Sequence, residues 1–230
     1  MGVFRVEYPK SGLAHLVMDD ADRKVNVLDE PAIAALEIAL TELESRADLT
    51  GVIVRSGKSG SFVAGADVRV IGAITDPERV KTIVRRAHAA FARLANLRVP
   101  TVAVIDGVCL GGGLELALTC DSRVAAEEPR TQIGVPEVLL GLFPAFGGVS
   151  RLPRLVGLPS ALDLVLTGRT LDARRAEKMG IVAKSAPAAW LLAAAEKRLA
   201  ELAKRPAGAR RDRFRPKGAV PSLLATAPGR

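Results

Sequence analysis

The sequence predicts an α/β fold with helices covering β-sheets, and three observations lead there. Short Val/Ile/Leu-rich runs that end near Gly, Pro or Asp alternate with longer segments whose apolar residues recur at helical spacing. Thr101–Val108 is an almost unbroken apolar run of strand length, as a strand buried on both faces requires. A composition of 49% hydrophobic and 25% charged residues over 230 positions suits one large globular domain with a sizeable core.

Taken in order, Phe4–Tyr8, His15–Asp19 and Gly51–Arg55 read as strands. Between them a helix is predicted over Glu30–Arg46. Asp29 is its N-cap, Pro31 lies in its first turn, and Ile33, Leu36, Leu40 and Leu43 form its apolar face. A second helix is predicted from Pro77 to Leu97, with Ile83, Val84, Ala87, Phe91 and Leu94 on one face and Pro100 stopping it. The buried strand Thr101–Val108 then enters Gly111-Gly112-Gly113, an apolar helix Leu114–Thr119 and a strand Arg123–Ala126. Ala188–Lys204 reads as one Ala/Leu-rich helix. Beyond Pro206 the chain turns basic and Pro/Gly-containing, as a linker does. The expected organisation is a core over residues 1–187, a C-terminal helix over 188–205 and a basic tail over 206–230.

Bulk properties narrow the function. No stretch approaches the roughly 18 uninterrupted apolar residues of a membrane span, and MGVFRVEYPK lacks the apolar core of a signal peptide. A cytoplasmic protein is expected. Cys109 and Cys120 lie in apolar context without metal-ligand spacing and read as reduced, packed thiols. His15 and His88 have no nucleophile-like or ligand-like neighbourhood, so no metal site is predicted. The net charge of +8 lies wholly in residues 197–230, which hold 10 Lys/Arg against 2 Asp/Glu and leave 23 of each sign elsewhere. With 3% aromatics there are few platforms on which bases stack, so nucleic acid is not the expected ligand.

Three places draw chemistry. Gly111-Gly112-Gly113 between a buried strand and a helix lets backbone N–H groups face a phosphate or an oxyanion, or simply makes a tight turn. Glu115 follows among Leu114, Leu116, Ala117 and Leu118, where an ionised carboxylate is costly unless paired, hydrogen-bonded or used. The alternative is a solvent-facing position on an amphipathic helix. Glu137, after Pro136, is the second charge inside an apolar run, and stabilisation of a helix dipole is its alternative reading. The third place is Phe62-Val63-Ala64-Gly65-Ala66-Asp67, whose small residues permit close approach of a ligand to the backbone, or form a plain turn.

In order along the chain, FVAGADV at 62–68, AVIDGVCLGGGLELALTCDSRVAAE at 103–127 and IGVPEVLLGLFPAFGGVSRLPRLVG at 133–157 resemble the crotonase (enoyl-CoA hydratase/isomerase) superfamily. RKVNVLD at 23–29 and LTGRTLDARRAEKMGIV at 166–182 extend the likeness over nearly all of residues 3–185. The resemblance implies a crotonase-like spiral of repeated ββα units and hydration of 2-enoyl-CoA to 3-hydroxyacyl-CoA in fatty-acid β-oxidation. It implies Glu115 and Glu137 as the acid–base pair, and the backbone N–H groups of Ala66 and Gly112 as an oxyanion hole. Arg23, Lys24, Val25, Val27, Ala64, Gly65, Asp67, Gly111, Gly113, Pro136, Pro144 and Ala145 are the implied substrate-binding positions. Arg23 and Lys24 are candidates for the CoA phosphates, or ordinary surface charges.

No separate cofactor is implied, since CoA is part of the substrate. An acyl-CoA thioester is the expected partner, and the resemblance allows a homo-oligomer and a thiolase-type β subunit. Within the superfamily the likeness runs nearest to the N-terminal part of multifunctional fatty-acid-oxidation α subunits. The basic tail then reads as a linker toward a dehydrogenase half that is absent, since no G-x-G-x-x-G follows a strand. The C-terminal helices that complete the pocket in the family are expected to be truncated. One departure is Pro144-Ala145 where many relatives have Pro-Gly, placing a methyl group near the bound water or acyl chain. Enoyl-CoA isomerisation is the alternative within enzymes. An RNA-binding or scaffold role for the basic tail is the alternative outside them.

Overall fold

The computed structural model describes residues 2–66 and 76–213. Two sheets are assembled by strands that leave one and enter the other. The larger has the order β1 (Phe4–Lys10), β2 (Leu13–Met18), β3 (Gly51–Ser56), β5 (Thr101–Ile105), β7 (Ser122–Ala126) and β10 (Lys184–Ala186). The β1–β2 pair is antiparallel, and every later pairing is parallel. The smaller sheet has the order β4 (Ser61–Val63), β6 (Val108–Leu110), β8 (Gln132–Gly134) and β9 (Thr170–Leu171). Strands β3, β5 and β7 are thus each followed at once by a strand of the smaller sheet. Helices α2 (Pro77–Ala95) and α3 (Gly112–Ala117) close the first two of these units.

The strand expected over Thr101–Val108 ends at Ile105, and Val108 is already the first residue of β6 in the other sheet. Gly107 makes the corner at φ +87°. A Cβ there would lie 1.9 Å from the Gly60 carbonyl oxygen, which accepts from Val108 N at 3.2 Å. The apolar run shows β5 but neither the bend nor the short β6 after it.

Alternation along the large sheet splits the core into two layers. Ala14, Leu16, Val52, Val54, Ala103 and Ile105 face α1 (Glu30–Ser45), α2 and the small sheet. Leu13, Ile53, Val102, Val104 and Val124 face Leu191, Ala195, Leu199 and Leu202 of α7 (Leu191–Ala203). The C-terminal helix thus covers β3, β5 and β7 on one face of the large sheet. It begins after a 3-10 turn at Ala188–Trp190, because Pro187 precedes it and no side chain caps it. Asp29 caps α1 through Ala32 N, with Pro31 in the first turn. Helices α4 (Gly148–Val156), α5 (Leu158–Thr167) and α6 (Ala173–Met179) connect β8 to β9 and β9 to β10.

The basic segment after Pro206 is not all linker. Asp212 reaches the fully buried Arg123 at 3.2 Å and Arg198 at 2.5 Å, and accepts from Ser122 Oγ at 2.6 Å. A buried guanidinium needs such a carboxylate, so the chain is drawn in up to residue 213. Residues 214–230 lie outside the described residues. Cys109 and Cys120 are buried free thiols, and burial pushes the Cys120 thiol up to about 12. Among the described residues no helix is long and apolar enough to cross a membrane.

Candidate active site

Between α2, α3 and the segment after β8 lies a cavity of about 580 Å³. Its walls are mainly apolar: Leu28, Val84, Leu110, Leu142, Phe143 and Phe146 contribute. That size and character suit an organic ligand held by a few convergent polar groups. Glu115, Glu137 and the backbone of Ala64–Ala66 and Gly111–Gly112 are among its polar groups, and Asp29, Glu30, Lys81 and Arg85 also contribute to the lining.

Glu115 sits in α3, 1% exposed. Its Oε1 accepts from Phe146 N at 2.8 Å and Gly148 N at 2.7 Å. This loop has to approach closely: a Cβ at Gly148 would lie 3.0 Å from both Cγ and Oε1 of Glu115. Burial raises the Glu115 carboxyl to about 7. The two N–H groups and Arg151 oppose that rise, and the nearby Glu137 charge adds to it.

Glu137 lies in a 3-10 turn, Pro136–Leu140, entered through Val135 at φ −126°, ψ 77° and closed by the left-handed Gly141. Burial pushes its carboxyl upward. Its Oε2 is buried and meets no hydrogen-bond partner among the described residues. Gly111 passes directly beneath: at φ +50°, ψ −124°, its absent Cβ would fall 2.8 Å from Glu137 Oε1. Two carboxyls with raised affinity for protons, one anchored through Oε1 and one with an unpartnered Oε2, therefore line one cavity.

The Ala64–Ala66 backbone is placed from the other side. Leu28 N donates to Gly65 O at 2.8 Å, and Ala64 N donates to Asn26 O at 2.9 Å. Fully buried Asn26 ties three elements together. Its Nδ2 donates to Met18 O, Ser56 Oγ and Phe62 O, and its Oδ1 accepts from Asp20 N. Gly111 N is already committed to Gly134 O at 2.9 Å, whereas Gly112 opens α3 at the cavity wall. Gly112 has no room for a side chain, since Phe146 and Leu28 carbons stand 3.1 and 3.3 Å from where its Cβ would be.

Of the positions expected at the ligand, Ala64, Gly65, Ala66, Gly111, Gly112, Glu115, Pro136, Glu137 and Ala145 line the cavity. Gly113 lies behind it, its Cβ position 2.2 Å from Val63 O, so its role is close packing of α3 on β4. Pro144 is buried behind Gly148. Arg23 bonds to Asp29 at 2.8 Å and Asp20 at 3.2 Å. Lys24 and Val25 are exposed, and Val27 is half-buried. None of these six is part of the lining. Asp67 lies outside the described residues. The sequence reading missed Phe146 and Gly148 as the donors that hold Glu115; the Phe-Gly-Gly run opening a helix is their only trace. It also missed Asn26, a lone polar residue between two valines.

The family profile described as enoyl-CoA hydratase/isomerase matches residues 9–212. The fatty acid oxidation complex subunit alpha of Shewanella frigidimarina is 44% identical over 202 residues, which is 88% of this chain and 28% of that protein. The subunit of the same name from Vibrio cholerae is 42% identical over 86% of this chain and 28% of its own length. The chain thus spans under a third of these relatives. A crystal structure of enoyl-CoA hydratase from Bacillus anthracis superposes with a TM-score of 0.81 at 30% identity, covering 89% of this chain and 78% of that one. One from Thermoplasma volcanium gives 0.80 at 26% identity, covering 90% and 79%. The chain belongs to the enoyl-CoA hydratase/isomerase family.

Proposed function

We propose that this chain adds water to the double bond of 2-enoyl-CoA thioesters, giving 3-hydroxyacyl-CoA in fatty-acid β-oxidation. The observation that carries the reading is the pair Glu115 and Glu137, both with raised proton affinity, facing one largely apolar cavity. The N–H groups of Ala66 and Gly112 receive the thioester oxygen and hold the enolate-like charge that develops on it. Loss of one such donor costs on the order of 3 kcal/mol in other enzymes. Glu115, ionised, takes a proton from the water that attacks C3. Glu137, protonated, delivers one to C2. The names of the curated relatives support the pathway and a protein partner within a complex.

Isomerisation of 3-enoyl-CoA is a second reading, favoured by one observation. Glu137 Oε2, without a hydrogen-bond partner among the described residues, is available to shuttle a proton between two carbons beside the same oxyanion site. Incubation with crotonyl-CoA in ¹⁸O-labelled water tests the main reading. Loss of enoyl-thioester absorbance with one labelled oxygen in the product supports it. Unchanged absorbance with folded protein refutes it.

A further inference from the structure

Two side chains outside the acid–base pair converge on the loop that holds Glu115. Ala145 O accepts from His88 Nε2 at 2.6 Å, so this nitrogen carries the proton. Ala145 O and Phe146 N belong to one peptide unit, whose N–H donates to Glu115 Oε1 at 2.8 Å. His88, the Ala145–Phe146 peptide and the carboxylate therefore form a continuous hydrogen-bonded chain in which each bond polarises the next. The next peptide is held by Arg151, whose Nη1 donates to Phe146 O at 2.9 Å. Gly147, at φ +105°, makes this possible: its absent Cβ would lie 2.0 Å from Arg151 Nη1, so the guanidinium occupies that space. Both peptides flanking the cradle are thus gripped from outside, one by α2 and one by α4.

We propose that His88 and Arg151 are positioning residues for Glu115: each clamps a carbonyl of the Ala145–Gly148 loop, and Arg151 also brings a positive charge to that loop. The proposal rests on Glu115 being the working carboxylate of the hydration reading. The charged groups acting on Glu115 are Glu137 from the 3-10 turn, which favours its protonation, and Arg151 from α4, which opposes it. Arg151 in turn feels Arg211 of the docked C-terminal segment and Arg154 on its own helix as like charges, and Glu115 as its counter-charge.

The test reads Glu115 directly. The 230-residue chain labelled with ¹³C in glutamate carboxyls is titrated by NMR, the Glu115 signal being assigned by its loss in Glu115→Gln, and crotonyl-CoA hydration is followed over the same pH range. Arg151→Gln keeps an N–H donor but removes the charge. It raises the Glu115 midpoint, the direction expected on losing an opposite charge. The acid limb of the rate moves with it. Arg151→Lys keeps the charge and leaves the midpoint near the wild-type value. His88→Leu lowers kcat about tenfold with little change in KM, consistent with a misplaced base, and His88→Gln, which still donates, restores most of it.

A Glu115 midpoint unmoved by Arg151→Gln overturns the proposal, as does an equal rise in Arg151→Lys. If Arg151→Gln does not fold, Arg151→Lys decides by its midpoint alone. A protein without hydratase activity that still shows the midpoint shift refutes the proposed function and leaves the role of Arg151 standing.

Discussion

Replacing Glu115 by glutamine keeps an oxygen to accept from Phe146 N and Gly148 N but removes the charge that burial opposes. The carboxyl titrates near 7 in the folded protein against 4.5 ordinarily. For an acid whose folded value is raised, the stabilisation belongs to the protonated form. It is complete below the unfolded value and is lost as pH rises through the folded one. Wild type should therefore weaken relative to Glu115→Gln by about 3 kcal/mol at pH 8.5 and by only about 1 kcal/mol at pH 5.5, at 1.36 kcal/mol per pKa unit. Urea unfolding of both proteins at the two pH values measures this. A stability difference that does not change between them would refute the claim that Glu115 is held in a site hostile to its charge.

Other outcomes follow from the same geometry. Hydration should fall about tenfold per pH unit below pH 7, as Glu115 takes up the proton that disables it as a base; a pH–rate profile shows this. Asn26→Leu removes the side-chain donor to Phe62 O and the acceptor of Asp20 N, while Met18 O keeps Gly57 N, and should cost about 2 kcal/mol in denaturant unfolding. Asp212→Ala strands the buried Arg123 and should also cost about 3 kcal/mol, while speeding tryptic cleavage at Arg210, Arg211 and Arg213. Gly111→Ala places a methyl group against Glu137 Oε1 on a backbone only glycine adopts readily. It should reduce turnover more than it reduces binding of a CoA thioester.

Legibility in the sequence followed the range of the interactions. Helix α1 was readable because its cap, its proline and its apolar face are all local, and the structure ends it at Ser45, one residue short of the expected Arg46. The expected strand overran β5 into residues 106–108 because the close pass of Gly60 over Gly107, which turns the chain into β6, joins positions distant in sequence. The short strands β4, β8, β9 and β10 offer two or three residues each, too few for a periodicity to register. Both glutamates stood out because a charge among leucines is conspicuous. Their environment did not, since Glu115 is held by amides 31 and 33 residues away. The basic tail misled for a related reason: Asp212 is one acid among arginines, and only the buried Arg123 explains why the segment turns inward.

The central claim is that Glu115 and Glu137 work as a pair on an enoyl thioester. The most direct measurement compares kcat for crotonyl-CoA hydration in wild type, Glu115→Gln and Glu137→Gln, with folding of all three verified. Loss of about 10²-fold or more in each variant, the range expected for removing an acid or base, is the predicted result. A wild-type protein that hydrates crotonyl-CoA while either variant stays within about tenfold of it would contradict the account, because that carboxylate would then be a bystander in the cavity.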